Sequence, residues 1–360
     1  MKRKVCVVGI YSLVHALVDF ACATLLTLWV TTQYGARPGI LLISFIAYNF
    51  FAFAMQLPIG ILADILDCNA LVSATGCLTV ALAYALSPLG VLAAVVAGIG
   101  NAMFHIGGGI DVLNISDHKA TLPGIFVATG AMGLFLGSNA ARFHVSGIPI
   151  SFLDSDGKVL SAAAILMLIL AAAALVWLYR KAGGEFGIRN AEVIFRRMAK
   201  PEVYIAWCML ITILIRGCIG LVMNYEWKSS FTAGLITVSA VVFGKMLGGI
   251  AGDRFGWRRV TVGSLLVAAV LFVFSFDSMV CGVAAILLFN MSMPITLTAL
   301  ANRFEANKGM AFGMTTVALF IGALPALLGV GAALFSLPVL VGTTLLSAGL
   351  LWYGLKNETV

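Results

Sequence analysis

The chain has 360 residues, 61% of them hydrophobic and only 10% charged, with a formal net charge of +7 and a mean hydropathy of +1.06. A soluble domain of this length needs far more charge to cover its surface, so a soluble enzyme or binding module is excluded. The surplus of lysine and arginine would suggest nucleic acid in a soluble protein. Here it is explained by the bias of basic loops toward the cytoplasmic side of a membrane, and no nucleic-acid partner is expected.

Apolar stretches of about 20 residues, each long enough to cross ~30 Å of hydrocarbon, fall at roughly 5–30, 38–63, 69–86, 89–112, 121–140, 159–179, 203–224, 231–251, 260–276, 279–299, 309–332 and 334–354. They predict an all-α membrane protein of twelve transmembrane helices. The first follows Lys2, Arg3 and Lys4 and runs to about Val30, beyond the ~7–15 apolar residues of a signal peptide, and reads as a retained helix. It carries His15 and Asp19, whose i,i+4 spacing puts them on one face. The fourth carries Asn101 and His105, with Asp111 and Asn114 near its inner end. The fifth is lined by Gly124, Gly130, Gly133 and Gly137, which reads as close helix packing.

Between the sixth and seventh helices lies the longest polar, basic stretch, residues 182–201. It reads as a cytoplasmic linker or a short helix on the inner membrane surface. The seventh helix carries Arg216, with Asn224 and Glu226 toward its outer end; the eighth carries Lys245 and the tenth Asn290. Gly309, Gly313, Gly322 and Pro325 mark the eleventh. With the N-terminus inside, Lys119, Arg180, Lys181, Arg189, Arg196, Arg197, Lys200, Arg254, Arg258, Arg259, Arg303, Lys308 and Lys356 also fall on the inner side. Only Arg37, Arg142, Lys158 and Lys228 fall outside. The expected location is a bacterial-type inner membrane with both termini cytoplasmic. The seven cysteines are scattered, without a C-x-x-C pair, and read as packing residues rather than disulfides or a zinc site.

A repeat holds at an offset of 189 residues. Gly60-Ile61-Leu62-Ala63-Asp64 returns as Gly249-Ile250-Ala251-Gly252-Asp253, Asn101 as Asn290, Lys119 as Lys308, and Gly124 and Gly133 as Gly313 and Gly322. The chain therefore divides into two parallel six-helix halves around a central cavity, 1–181 and 202–360, joined by the linker 182–201.

From Gly244 to Arg259 the sequence reads GKMLGGIAGDRFGWRR, and from Pro58 to Asp67 PIGILADILD. The first resembles the G-x-x-x-D-R-x-G-R-R loop of the major facilitator superfamily. The second resembles the same loop stripped of its basic residues. The resemblance implies alternating access, with Gly60, Asp64, Gly249, Asp253, Arg254, Arg258 and Arg259 forming gating loops. It leaves the first loop without basic partners. It also implies that the first, fourth, seventh and tenth helices line the cavity, and most of the intramembrane polar groups fall on those helices. HALVD from His15 to Asp19 and GIGNAMFH from Gly98 to His105 resemble the fosmidomycin-resistance-type exporters more weakly.

Ionisable groups inside a membrane usually face the protein interior or water. By the ~1.5 Å helical rise, His15 and His105 lie about 16 and 13 Å from the inner end, and Asp19 and Arg216 about 22 and 21 Å. His15 can therefore approach His105, and Asp19 can face Arg216. The expectation is that Asp19 with His15 or His105 carries a coupling proton, since histidine titrates near neutral pH. Arg216 then binds an anionic group or pairs with Asp19, and Asn101 and Asn290 complete the cavity. The alternative is a static buried ion pair with hydrogen-bonded histidines. A metal on His15, Asp19 and His105 is conceivable from ligand type, but no metal-specific spacing accompanies it. No P-loop and no G-x-S-x-G nucleophile are present, so the expectation is no enzyme, no cofactor, and the proton gradient as energy source. The expected partners are a small-molecule substrate and the lipid bilayer, with a monomer as the expected state. The first reading is proton-driven export by antiport. The second is uptake of an organic anion or sugar by symport. A membrane-embedded enzyme ranks below both.

Overall fold

A computed structural model describes residues 2–145, 157–182, 200–331 and 335–356. These residues form twelve helical rods and no strand. In chain order they are α1 (Arg3–Tyr34), α2 (Pro38–Leu66), α3 (Asn69–Ala85), α4 (Val91–Ile115), α5 (Thr121–Val145), α6 (Lys158–Ala182), α7 (Lys200–Val222), α8 (Phe231–Phe255), α9 (Trp257–Val273), α10 (Met279–Arg303), α11 (Lys308–Leu327) and α12 (Leu337–Gly354). Ten of them are long and apolar enough to cross a membrane. The other two, α3 and α9, have 17 residues each and stand at matching places in the repeat. All backbone polar groups within a bilayer must be satisfied internally, which a bundle of helices does. Most of the expected linker, 183–199, with Arg189, Arg196 and Arg197, lies outside the described residues.

The buried apolar side chains fall into two main clusters. One is drawn from α1–α6 and takes in Leu297, Ala301, Ala311 and Phe312 from the later helices. The other is drawn from α7–α12 and takes in Ala120. The broadest contacts between the two sets are α5 against α8 and α2 against α11. Lipid tails are as apolar as leucine, so close approach of small residues holds such helices together. Gly133 and Gly137 on α5 show this: a Cβ on either would collide with the backbone of α1, at Ala16 and Phe20. Two π-helical turns interrupt the rods, Leu26–Val30 in α1 and Phe50–Ala54 in α2. The α1 turn begins seven residues beyond Asp19, and such turns are frequent near functional sites.

With twelve rods, residues 3 and 356 lie at the same end of the bundle, called the inner end below. There the Lys4 ammonium lies 2.6 Å from the Asp117 carboxylate. The hydrogen bond from Lys4 holds the Asp117 carboxyl below its ordinary range. A lowered carboxyl pKa adds stability above the unfolded value, ~3.9, and loses it as pH falls through the folded value. Both groups are exposed and screened by solvent. Asp117→Asn is therefore expected to cost under ~1 kcal/mol at pH 7, and the difference should shrink in thermal melts as pH falls below the unfolded carboxyl value, ~3.9.

Candidate functional site

The site begins on one face of α1. His15 and Asp19 stand one turn apart, with His15 Nε2 3.3 Å from Asp19 Oδ2. The matching i,i+4 pair on α4 faces them. Asn101 Nδ2 donates to Asp19 Oδ1 at 2.8 Å, and His105 Nε2 lies 3.7 Å from the same oxygen. The two imidazoles meet directly, Nε2 to Nε2, at 2.8 Å. Gly130 on α5 makes room for them, because a Cβ there would run into His15 and Asp19.

The other ring nitrogens decide the protonation pattern. His15 Nδ1 lies 2.8 Å from the Phe126 carbonyl oxygen on α5, and His105 Nδ1 lies 2.8 Å from the Asn101 carbonyl oxygen. A carbonyl only accepts, so both Nδ1 atoms carry hydrogen. Two neutral rings would then point bare lone pairs at each other across 2.8 Å. One proton between the Nε2 atoms resolves the clash. The trio then holds one positive and one negative charge.

A metal fits less well, although the three ligand atoms lie within 4.8 Å of one another. Two nitrogens at ~2.0–2.1 Å from a tetrahedral ion stand about 3.3 Å apart, wider than the spacing found. A hydrogen-bonded proton matches it.

The α7–α12 half contributes cations. Arg216 on α7 is 8% exposed and donates to Thr296 Oγ1 on α10 at 3.3 Å. Lys245 on α8 is 9% exposed and reaches into the other half, donating to the Val127 carbonyl of α5 at 3.1 Å. Val127 follows Phe126, whose carbonyl holds His15, so adjacent α5 carbonyls tie the trio and Lys245 together. Among the described residues, neither cation has a carboxylate within ion-pair distance. The expected pairing of Asp19 with Arg216 is therefore not formed: Asp19 is held by its own half. Asn290 bonds back to Ile286 O on its own helix at 2.8 Å, with its Cβ against Gly244, and does not join the trio. Sequence reasoning placed Lys245 on its helix but left it out of the site, because it lies inside the gating motif.

The residues expected to gate form a second arrangement at the inner end. Asp64 accepts hydrogen bonds from the backbone N–H groups of Gly309 (2.7 Å) and Met310 (2.9 Å), at the start of α11. Asp253 accepts from the N–H groups of Ala120 (2.9 Å) and Thr121 (2.8 Å), at the start of α5. It also accepts from the Thr121 hydroxyl and the Trp257 indole. Each carboxylate thus sits on a helix N-terminus of the other half, where free N–H groups and the helix dipole favour an anion.

The two latches are related by the 189-residue offset. Gly60 lies against Gly309 and Gly249 against Ala120, so closely that a Cβ would collide with the opposing backbone. The loop arginines have other contacts. Arg258 stacks over Trp352 at 3.5 Å from the ring centroid, Arg254 lies over Phe255, and Arg259 is exposed. Missing basic residues after Asp64 therefore do not weaken the first latch, because its partners are backbone amides.

Neither a family model nor a curated protein sequence matches the chain. Solved structures do. A major facilitator superfamily transporter, FucP, in the outward conformation, matches with a TM-score of 0.64 at 13% identity, covering 98% of this chain and all of the other. The E. coli fucose:proton symporter FucP (N162A) matches with a TM-score of 0.66 at 14% identity, covering 99% of this chain and 100% of the other. At such identities the likeness concerns architecture, and it agrees with the rod count, the repeat and the paired latches: the chain has the fold of a major facilitator superfamily transporter.

Proposed function

We propose that this protein is a proton-coupled secondary transporter of a small anion, and that its two halves, 1–181 and 202–360, rock about the buried charges as the latches open and close. It works as a monomer in an inner membrane, with both termini in the cytoplasm. The carrying observation is the 2.8 Å contact between His15 and His105, a spacing that one shared proton accounts for. Asp19 supplies the counter-charge, and Arg216 with Lys245 supplies two cations that no carboxylate among the described residues neutralises.

The charges favour symport, the second of the two readings made from sequence. When the trio loses its proton, it is left with the net charge of Asp19, which can draw the two cations across the halves. A bound anion competes with Asp19 for those cations. Anion and proton therefore bind cooperatively, and linkage makes the effect mutual. Antiport needs the opposite, a substrate whose binding expels the proton. FucP, the fold neighbour, is itself named as a proton symporter.

Proteoliposomes holding the full chain test this, with inorganic phosphate, succinate and gluconate as probes. An outward acidic gradient should drive uptake of at least one of them, and an inward acidic gradient should not. Uptake driven only by inside acid would overturn symport. Arg216→Ala should weaken binding of the transported anion by about 10- to 100-fold, the loss of one charge-assisted contact, as read from the ligand-dependent shift in melting temperature.

A further inference from the structure

Asp111 is a second buried carboxylate, 6% exposed, four residues from the inner end of α4. The Tyr11 hydroxyl on α1 donates to its Oδ2 at 2.5 Å, and Asn69 Nδ2 on α3 donates to its Oδ1 at 2.9 Å. Among the described residues no cation lies within ion-pair distance of it. A carboxylate held only by neutral donors is an expensive way to brace three helices. Its amide partner is informative: Asn69 is buried, and its Oδ1 atom has no hydrogen-bond partner. An amide turned by half a revolution exchanges its oxygen and nitrogen. As placed, Asn69 donates to an ionised Asp111. Turned over, it offers an acceptor to a protonated Asp111. The same pocket can thus hydrogen-bond both forms of the acid.

The position suits proton passage. Asp111 lies about 9 Å below His105 along α4 by helical rise. The Phe126 ring contacts the His15 ring at 4.7 Å and the Tyr11 ring at 6.5 Å, and so lies next to both groups. Between His105 and Asp111 run Gly107, Gly108 and Gly109, a run that weakens a helix by ~1 kcal/mol per residue relative to alanine. The Phe312 ring of α11 covers Gly109, where a Cβ would lie 2.6 Å from it. Lys308, at the start of α11, donates to the Leu113 carbonyl of α4 at 3.4 Å. The Asp64 latch holds the same end of α11. Release of that latch would therefore uncover the segment of α4 that carries Asp111. The charged and titratable groups around Asp111 are Tyr11 on α1, Asp64 on α2, Asp67 in the turn before α3, and Lys308 on α11.

We propose that Asp111 is a second proton station, which receives the coupling proton from the His15–Asp19–His105 trio when the inner end opens and releases it to inner water. The Nε2–H bond of the histidine pair breaks, with its electron pair remaining on nitrogen. The proton crosses as hydronium through water admitted by α11, and an O–H bond forms on Asp111. Loss of that proton to bulk water restores the carboxylate. The proposal rests on the proton reading of the trio.

Infrared difference spectra of the full-length protein in proteoliposomes, recorded on acidification without substrate, provide the test. Wild type should gain a carboxylic C=O band from Asp111 together with the ring bands of a protonated imidazole pair, and a pH-sensitive dye should count the protons taken up. Asp111→Asn should remove the C=O band and one proton, while Asp19→Asn should diminish the imidazole bands and the proton taken up by the histidine pair. Asp111→Glu should retain a shifted band, which a purely bracing residue has no reason to do. Unchanged bands and proton count in Asp111→Asn overturn the second station alone. Unchanged proton uptake in Asp19→Asn overturns the reading beneath it. Should Asp111→Asn fail to fold, Asn69→Leu leaves Asp111 in place and should move its C=O band, and a band that stays put counts against the proposal.

Discussion

Asp19→Asn is expected to abolish accumulation driven by a pH gradient, lowering it at least 100-fold, while exchange of internal for external anion survives. Asparagine matches aspartate in size and can still meet the Asn101 amide, so packing is conserved. The lost quantity is charge. The positive imidazole pair lies 3.3 and 3.7 Å from the carboxylate, close enough for opposite charges to attract strongly away from bulk water. Without the carboxylate the shared proton has no counter-charge in the trio, and the coupling is lost. His105→Ala should give the same loss by removing one side of the bridge, whereas Asp19→Glu should keep part of the coupling. Retained pH-driven uptake in both Asp19→Asn and His105→Ala would sink the proton assignment.

Gly309→Val should unlock the inner end. A Cβ at residue 309 would press on the Gly60 carbonyl and lie 2.7 Å from Ile110 and 2.8 Å from the Asp64 carboxylate. The side chain thus pushes α11 off α2 and spoils the two hydrogen bonds that hold it there. Hydrogen bonds to a charged acceptor are worth about 1.5–3 kcal/mol each, so one of the two latches is lost while the Asp253 latch remains. Ala311, buried at 0% exposure, provides the reporter. In a cysteine-free background, Ala311→Cys should be labelled at least tenfold faster by a membrane-impermeant maleimide from the inner side once Gly309→Val is added. An unchanged labelling rate would show that this crossing does not hold the gate.

Much of this arrangement was legible in the sequence. Apolar runs fixed the rods, and the 189-residue offset predicted the pairing of the Asp64 and Asp253 loops. Helical rise placed His15 and His105 at similar depth, and they meet. The same arithmetic put Asp19 level with Arg216, yet these two do not pair. Rise gives height along the bundle but says nothing of direction around it, and Asp19 faces α4. The repeat also explains why the chemistry is one-sided. At the offset positions, Tyr204, Cys208 and Pro294 stand for His15, Asp19 and His105, while Thr27 and Gln56 stand for Arg216 and Lys245. Most latch partners were hidden for a different reason: both donors to Asp64 and two of the four to Asp253 are main-chain amides, and any residue type but proline supplies one.

That has a consequence for mutational scanning of the inner gate. Exchanging side chains one at a time can expose Asp64, Asp253, Thr121 and Trp257, but it is nearly blind to the main-chain donors the two aspartates hold. Only proline deletes an amide hydrogen, so Met310→Pro and Thr121→Pro are the substitutions that reach the other half of each lock. The main-chain donors can therefore drift in residue type while the lock persists, and a survey of side chains alone would miss both donors of Asp64.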